Sequence, residues 1–138
     1  MRYMLLIHHD EKAWEGVSEG EQDRALDDSI AVAHQLAAAG RYLDAAPLEP
    51  TSTATSVQVR DGRRLVTDGP FAETREQLAG YFLIEADDLD EAIDVAARIP
   101  GARWGTVEVR PVRLVEGLPD ASAAKAVRGG ADVSDVRR

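Results

Sequence analysis

Two stretches of this chain gather side chains that can do chemistry. His8-His9-Asp10 ends the apolar run Tyr3-Met4-Leu5-Leu6-Ile7. Adjacent side chains of an extended segment point to opposite faces, so only one of the two His can face a cleft. An imidazole that titrates near neutrality suits general-base work, and His8 is the candidate base. With no partner at a recognisable spacing, a solvated pair at a strand edge is the plainer reading. The second stretch is Asp68-Gly69-Pro70-Phe71. Gly permits positive φ and Pro fixes its own, so the Asp68 carboxylate is held in a defined backbone and is the candidate catalytic acid, lining a ligand cleft. An Asx-turn, in which Asp68 caps its own turn, competes with that role. Phe71, Tyr81 and Arg75 are the candidate ligand-binding residues. For Phe71 the plainer alternative is an anchor that pins the turn to the core, and for Tyr81 a core aromatic. Arg60, Arg63, Arg64 and Arg75 form the only basic concentration and can grip a small carboxylate or phosphate, or simply guard a hairpin edge. His8, Asp10 and His34 have no metal-ligand spacing, so neither a metal nor a cofactor is expected.

The elements that must position these groups centre on residues 65–100. Arg64 to Thr67 is a β-run stopped by the Asp68-Gly69-Pro70 turn, and Tyr81-Phe82-Leu83-Ile84 is a short apolar run of β-formers, hence a buried strand. Asp88 and Glu91 form a capping box that opens a helix ending at Pro100-Gly101, with Leu89, Ile93, Ala96 and Ala97 expected inside. Residues 2–8 predict a central strand, apolar on both faces. A loop holding Trp14 and Gly16 follows. Ser18 and Glu21 make a second capping box, and Leu26, Ile30, Ala33 and Ala37, with Val32 and Leu36 beside them, give the next helix one stripe up to Gly40. Tyr42 to Ala46 is a short strand, and Thr51 to Ser56 reads as a loop. Thr55 to Arg60 and Arg63 to Thr67, joined by Asp61-Gly62, predict a β-hairpin. Trp104 to Val109 is the last strand, with Val112 to Val115 as an extension.

The order β-α-β, hairpin, β-α-β predicts an α+β ferredoxin-like fold, two helices on one face of an antiparallel sheet. Two helices cannot cover both faces, yet the central strands are apolar on both. A second copy closing the open face resolves this, so a homodimer is expected. The chain has 138 residues and no Cys, with 44% apolar content, which bounds it to one ordinary globular domain, residues 1–115, and removes thiol chemistry. Residues 116–138 carry too little apolar surface to offset ordering and are expected to be disordered. That segment holds four acids and four bases, so the net charge of −9 resides in the folded part. Such a balance opposes nucleic-acid binding. No apolar run is long enough to span a membrane or act as an export signal, so a cytoplasmic location is expected.

Asp68-Gly69-Pro70-Phe71, together with Tyr3 to Ile7, Asp61-Gly62, Gly80 to Ile84 and Ala72 to Leu78, resembles the YCII-related family in its DGPF subgroup, over residues 1 to about 115. The resemblance implies a dimeric α+β barrel within a superfamily that includes isomerases, monooxygenases and dehydrohalogenase-like lyases. It implies a small organic ligand held between sheet and helices, with a lyase or isomerase reaction using Asp68 and His8 as one extension. DGPF members often occur beside extracytoplasmic-function sigma factors, so a non-catalytic accessory of such a sigma factor is the alternative. One departure matters. The enzyme-like branch has a His on the first long helix and an Asp at the end of the second, read as a catalytic dyad. An ungapped alignment puts Ser29 and Ile99 at those positions, and neither can serve. His34 lies about one and a half turns further along and is no simple substitute.

Overall fold

A computed structural model describes residues 1–119, and the expected disorder of the tail lies almost wholly outside those residues. The apolar alternation of two segments puts them side by side at the middle of a four-stranded antiparallel sheet: β1 (Arg2–His9) and β5 (Gln77–Glu85). β2 (Tyr42–Pro47) flanks β5 and β6 (Thr106–Pro111) flanks β1, giving the order β2-β5-β1-β6, compatible with a ferredoxin-like α+β fold. The sheet is open, and this single chain closes no barrel. Past Pro111, among the described residues, one further bond, from Val112 N–H to the Arg2 carbonyl, continues the pairing, and Pro111 itself cannot donate to the ladder.

Both longer helices lie on one face. α2 (Glu19–Ala38) starts where Ser18 Oγ accepts the Glu21 amide, and Gly40, at φ 73°, takes the left-handed turn after its end. α3 (Leu89–Arg98) opens with Asp88 Oδ1 accepting the Glu91 amide at 2.9 Å, while Glu91 reaches back to the Asp87 amide. Tyr3, Leu5, Phe82 and Ile84 from the sheet meet Val32 and Leu36 of α2 and Ala92, Val95, Ala96 and Ile99 of the α3 segment. The inward stripe of α3 is therefore Ala92-Val95-Ala96-Ile99. The expected set of Leu89, Ile93, Ala96 and Ala97 is corrected: Leu89, Ile93 and Ala97 are exposed. This rotation brings small side chains to the sheet and permits close approach.

Three features escaped the sequence pattern. Asp10 caps α1 (Glu11–Glu15), accepting the Lys12 and Ala13 amides, in what reads as a loop. A short α4 (Gly101–Trp104) follows Pro100, and a single 3-10 turn spans Thr51–Thr53. The hairpin of β3 (Thr55–Arg60) and β4 (Arg63–Asp68) forms as expected, with Asp61 at φ 51° and Gly62 at φ 74° in its turn. It makes a sheet of its own, however, and Val57, Val59 and Val66, which share one of its faces, are about 60% exposed. The expectation that the positioning elements centre on residues 65–100 holds for β5 and α3 and not for β4.

Candidate functional site

The site grows from the end of β1. Tyr3, Leu5 and Ile7 face the helices, so the period of two puts His9 on that same face and His8 on the other. A β-bulge between Ile7 and His8 shifts the pairing, so that His9 stands opposite Gln77 rather than its neighbour. Gln77 Oε1 then accepts the Glu11 amide at 2.9 Å, which ties the start of α1 to β5. Gly105 locks the same corner: a Cβ there would lie 2.0 Å from the His8 carbonyl oxygen, so only Gly lets β6 approach β1 this closely.

Held by these contacts, the His9 ring stacks on Trp14, with ring centres 5.3 Å apart, and Trp14 meets Trp104 edge-on at 5.5 Å. The three rings stand at the mouth of a cleft of about 520 Å³ between α2 and the helix-side face of the sheet. Ile7, Ala45, Gly80 and Phe82 form its floor, and Leu26, Ser29, Ile30 and Ala33 form its α2 wall. Leu26 and Ile30 are 50% and 46% exposed because they border this space instead of touching the sheet. Gly80 keeps the floor low, since a Cβ at that position would meet the Ala46 carbonyl oxygen at 2.9 Å.

Burial pushes the His9 imidazole below its ordinary 6.5, against the opposing fields of Glu11, Asp10 and Glu76, so it is a neutral acceptor or base near pH 7. The Glu11 carboxylate receives the Thr51 amide at 2.9 Å and the Thr51 hydroxyl. Gln22 Nε2 donates to the Trp14 carbonyl at 2.8 Å, fixing α1 against α2. The volume and the mainly apolar lining with few polar groups are those of a small-molecule site.

Of the residues singled out in the sequence, Tyr81 reaches the cleft only through its strand: paired with Leu6, its side chain lies on the sheet face away from the helices, where its hydroxyl donates to Asp44 Oδ2 at 2.8 Å, a bond that with burial raises its pKa above 10.0. His8, Asp68, Phe71 and Arg75 do not line it. His8 Nε2 lies 3.2 Å from Glu108 Oε1 on the opposite face of the sheet. Asp68 ends β4 and is exposed, and its carboxylate makes no hydrogen bond among the described residues, so the expected Asx-turn does not form. Phe71 is 88% exposed, which corrects the expectation of a core anchor: the loop after Gly69 runs outside the sheet and gives the ring nothing to pack on. Sequence reasoning passed over His9, Trp14 and Trp104. The two-sided rule for adjacent His residues pointed to one of the pair, and Tyr3-Leu5-Ile7 supplied the phase that selects His9. Ser29 and Ile99, the positions matched to the superfamily dyad, both line the cleft. Among the described residues no cluster of three or more His, Asp or Glu is placed to hold a metal ion, and no helix is long and apolar enough to cross a membrane.

A profile of the YCII-related domain matches residues 1–116. An uncharacterised protein of Rhizobium meliloti (strain 1021) is 40% identical over 116 residues, which span 83% of this chain and 94% of that protein.

Proposed function

The chain belongs to the YCII-related family, and from that premise we propose that it binds a small organic molecule in the cleft between α2 and the sheet. The observation that carries this reading is the stack of His9, Trp14 and Trp104 at the mouth of a mainly apolar cavity. Aromatic rings at a half-open edge retain contact area that a ligand can cover, and few polar groups inside leave specificity to His9 and the residues around it. Neutral His9 is the group able to take a proton from a bound molecule, the opening step of a lyase or isomerase. Asp68 and His8 have no part in it, because neither borders the cavity. Within the family, the tetrapeptide Asp68-Gly69-Pro70-Phe71 supports placement in the DGPF subgroup.

The functional unit in this reading is a symmetric dimer. Met4, Leu6 and Leu83 lie on the sheet face opposite the helices and are only half-buried, as the alternation of β1 and β5 requires. A second copy laid on that face would bury them and complete the barrel.

The test uses the protein's own chromophores. Its two tryptophans are Trp14 and Trp104, so its intrinsic fluorescence reports the cleft mouth. A cleft ligand from a broad metabolite panel should change that emission saturably and raise the melting temperature, and Ala33→Phe, which fills the cavity, should remove both responses while far-UV circular dichroism stays unchanged. A panel of several hundred small metabolites with no saturable response from folded protein would sink the reading.

A further inference from the structure

The charged lining of the cleft has one sign. Among the described residues, Glu11 and Glu15 are its only ionised side chains, and no Lys or Arg lines it. Arg103, beside Trp104 in sequence, turns instead to a shallower depression with Arg24, Glu21 and Asp28, where it sits 3.9 Å from the Asp28 carboxylate. The basic hairpin residues Arg60, Arg63 and Arg64 are also outside the cleft lining. His9 is held neutral by burial and adds no positive charge near pH 7. An organic anion entering here would give up hydration and find no cation to replace it, a loss that an apolar wall cannot offset.

A cation meets the opposite environment. Trp14 is stacked on His9 and met edge-on by Trp104, but Trp104 keeps 40% of its surface exposed, and indole is the best aromatic partner for an ammonium group. Both carboxylate oxygens of Glu11 already accept hydrogen bonds from Thr51. Glu15, at the end of α1 one residue after Trp14, has no hydrogen bond or ion pair among the described residues, so its carboxylate is available to a ligand. Apolar side chains of α2 and the floor then hold whatever body the ammonium carries.

Resting on the cleft being a ligand site, we propose that its ligand class is the hydrophobic amine: an apolar body within the cavity and an ammonium group at the mouth, against the indole surface that the Trp14–Trp104 pair leaves uncovered and beside the Glu15 carboxylate. Selection runs cation over neutral over anion.

Three probes of matched shape separate this from the reading beneath it: 2-phenylethylamine, 2-phenylethanol and phenylacetate, titrated at pH 7.5 against the tryptophan emission of the full chain. The amine should bind at least about tenfold more tightly than the carboxylate and measurably more tightly than the alcohol. Glu15→Gln should weaken the amine severalfold and leave the alcohol unchanged, and added salt should act in the same sense on the amine alone. Phenylacetate binding as well as the alcohol, the alcohol matching the amine, or an amine affinity indifferent to Glu15→Gln overturns the charge selection while leaving the cleft as a site. Failure of all three probes to alter the emission, with the metabolite panel also silent, overturns the cleft reading itself.

Discussion

At the scale of single residues, the decisive side chains are those whose surroundings oppose their ordinary behaviour. His9 resists protonation because desolvation outweighs the three nearby acids. In the unfolded chain it takes up a proton near 6.5, whereas the folded chain holds it neutral to lower pH. Protons therefore bind preferentially to the unfolded state in that window, and the stability contributed by neutral His9 is present above 6.5 and lost as pH falls through the depressed folded value. Urea midpoints measured from about pH 8 down to about pH 5.5 should decline, and His9→Gln should flatten the part of that decline lying below 6.5. A variant with an unchanged slope would remove burial of His9 as its cause. Tyr81 is shifted the other way by its bond to Asp44, so Asp44→Asn should return its ultraviolet titration towards 10.0. Gly105 has no chemistry and more mechanical consequence: a methyl group driven into the His8 backbone must part β6 from β1. Gly105→Ala should cost about 3 kcal/mol in chemical denaturation.

Among the elements, a capped helix and a free hairpin show how far local signals reach. Ser18, Asp88 and the turn at Asp61-Gly62 act through neighbours in sequence, and each forms as its residue types require. The hairpin then departs from the rest of the molecule, because its alternation of Val57 and Val59 against Val66 specifies a face without specifying what covers it. A two-stranded ribbon alone is only marginally stable in water. Native-state hydrogen exchange should find the β3 and β4 amides opening far more readily than those of β1 and β5, whose side chains Leu5 and Ile84 are completely buried. Hairpin protection equal to that of β1 would show that the ribbon has a partner surface in solution. By the same logic Ile84→Ala should destabilise by about 2–5 kcal/mol, while Val57→Ala should change stability by less than about 0.5 kcal/mol.

For the whole molecule, the question is what becomes of the second face of the sheet. β1 and β5 are apolar on both sides, and the helices of this chain use only one. Light scattering at micromolar concentration should return twice the chain mass of 15.0 kDa, and Leu6→Asp should return a folded species of single mass. A wild-type monomer at that concentration would refute the dimer. The main strands, the Ser18 and Asp88 caps, the hairpin turn and the one-sided packing problem were legible in the residues, because periodicity and capping act over a few positions along the chain. The cleft was only partly so. The pattern placed one His of the pair towards the helices, and it read Leu26 and Ile30 as helix stripe; it had no means of showing that these border an empty space. His9, Trp14, Ser29, Ile99 and Trp104 are separated by up to 95 positions and share no spacing rule, so their convergence depends on the bulge opposite Ile7, the close approach at Gly105 and the short helices after Asp10 and Pro100. Sequence by itself determined the longer strands and helices and the two apolar sides of β1 and β5. Tertiary structure alone decided which polar groups meet, since register and helix rotation are settled only when the packed surfaces come together.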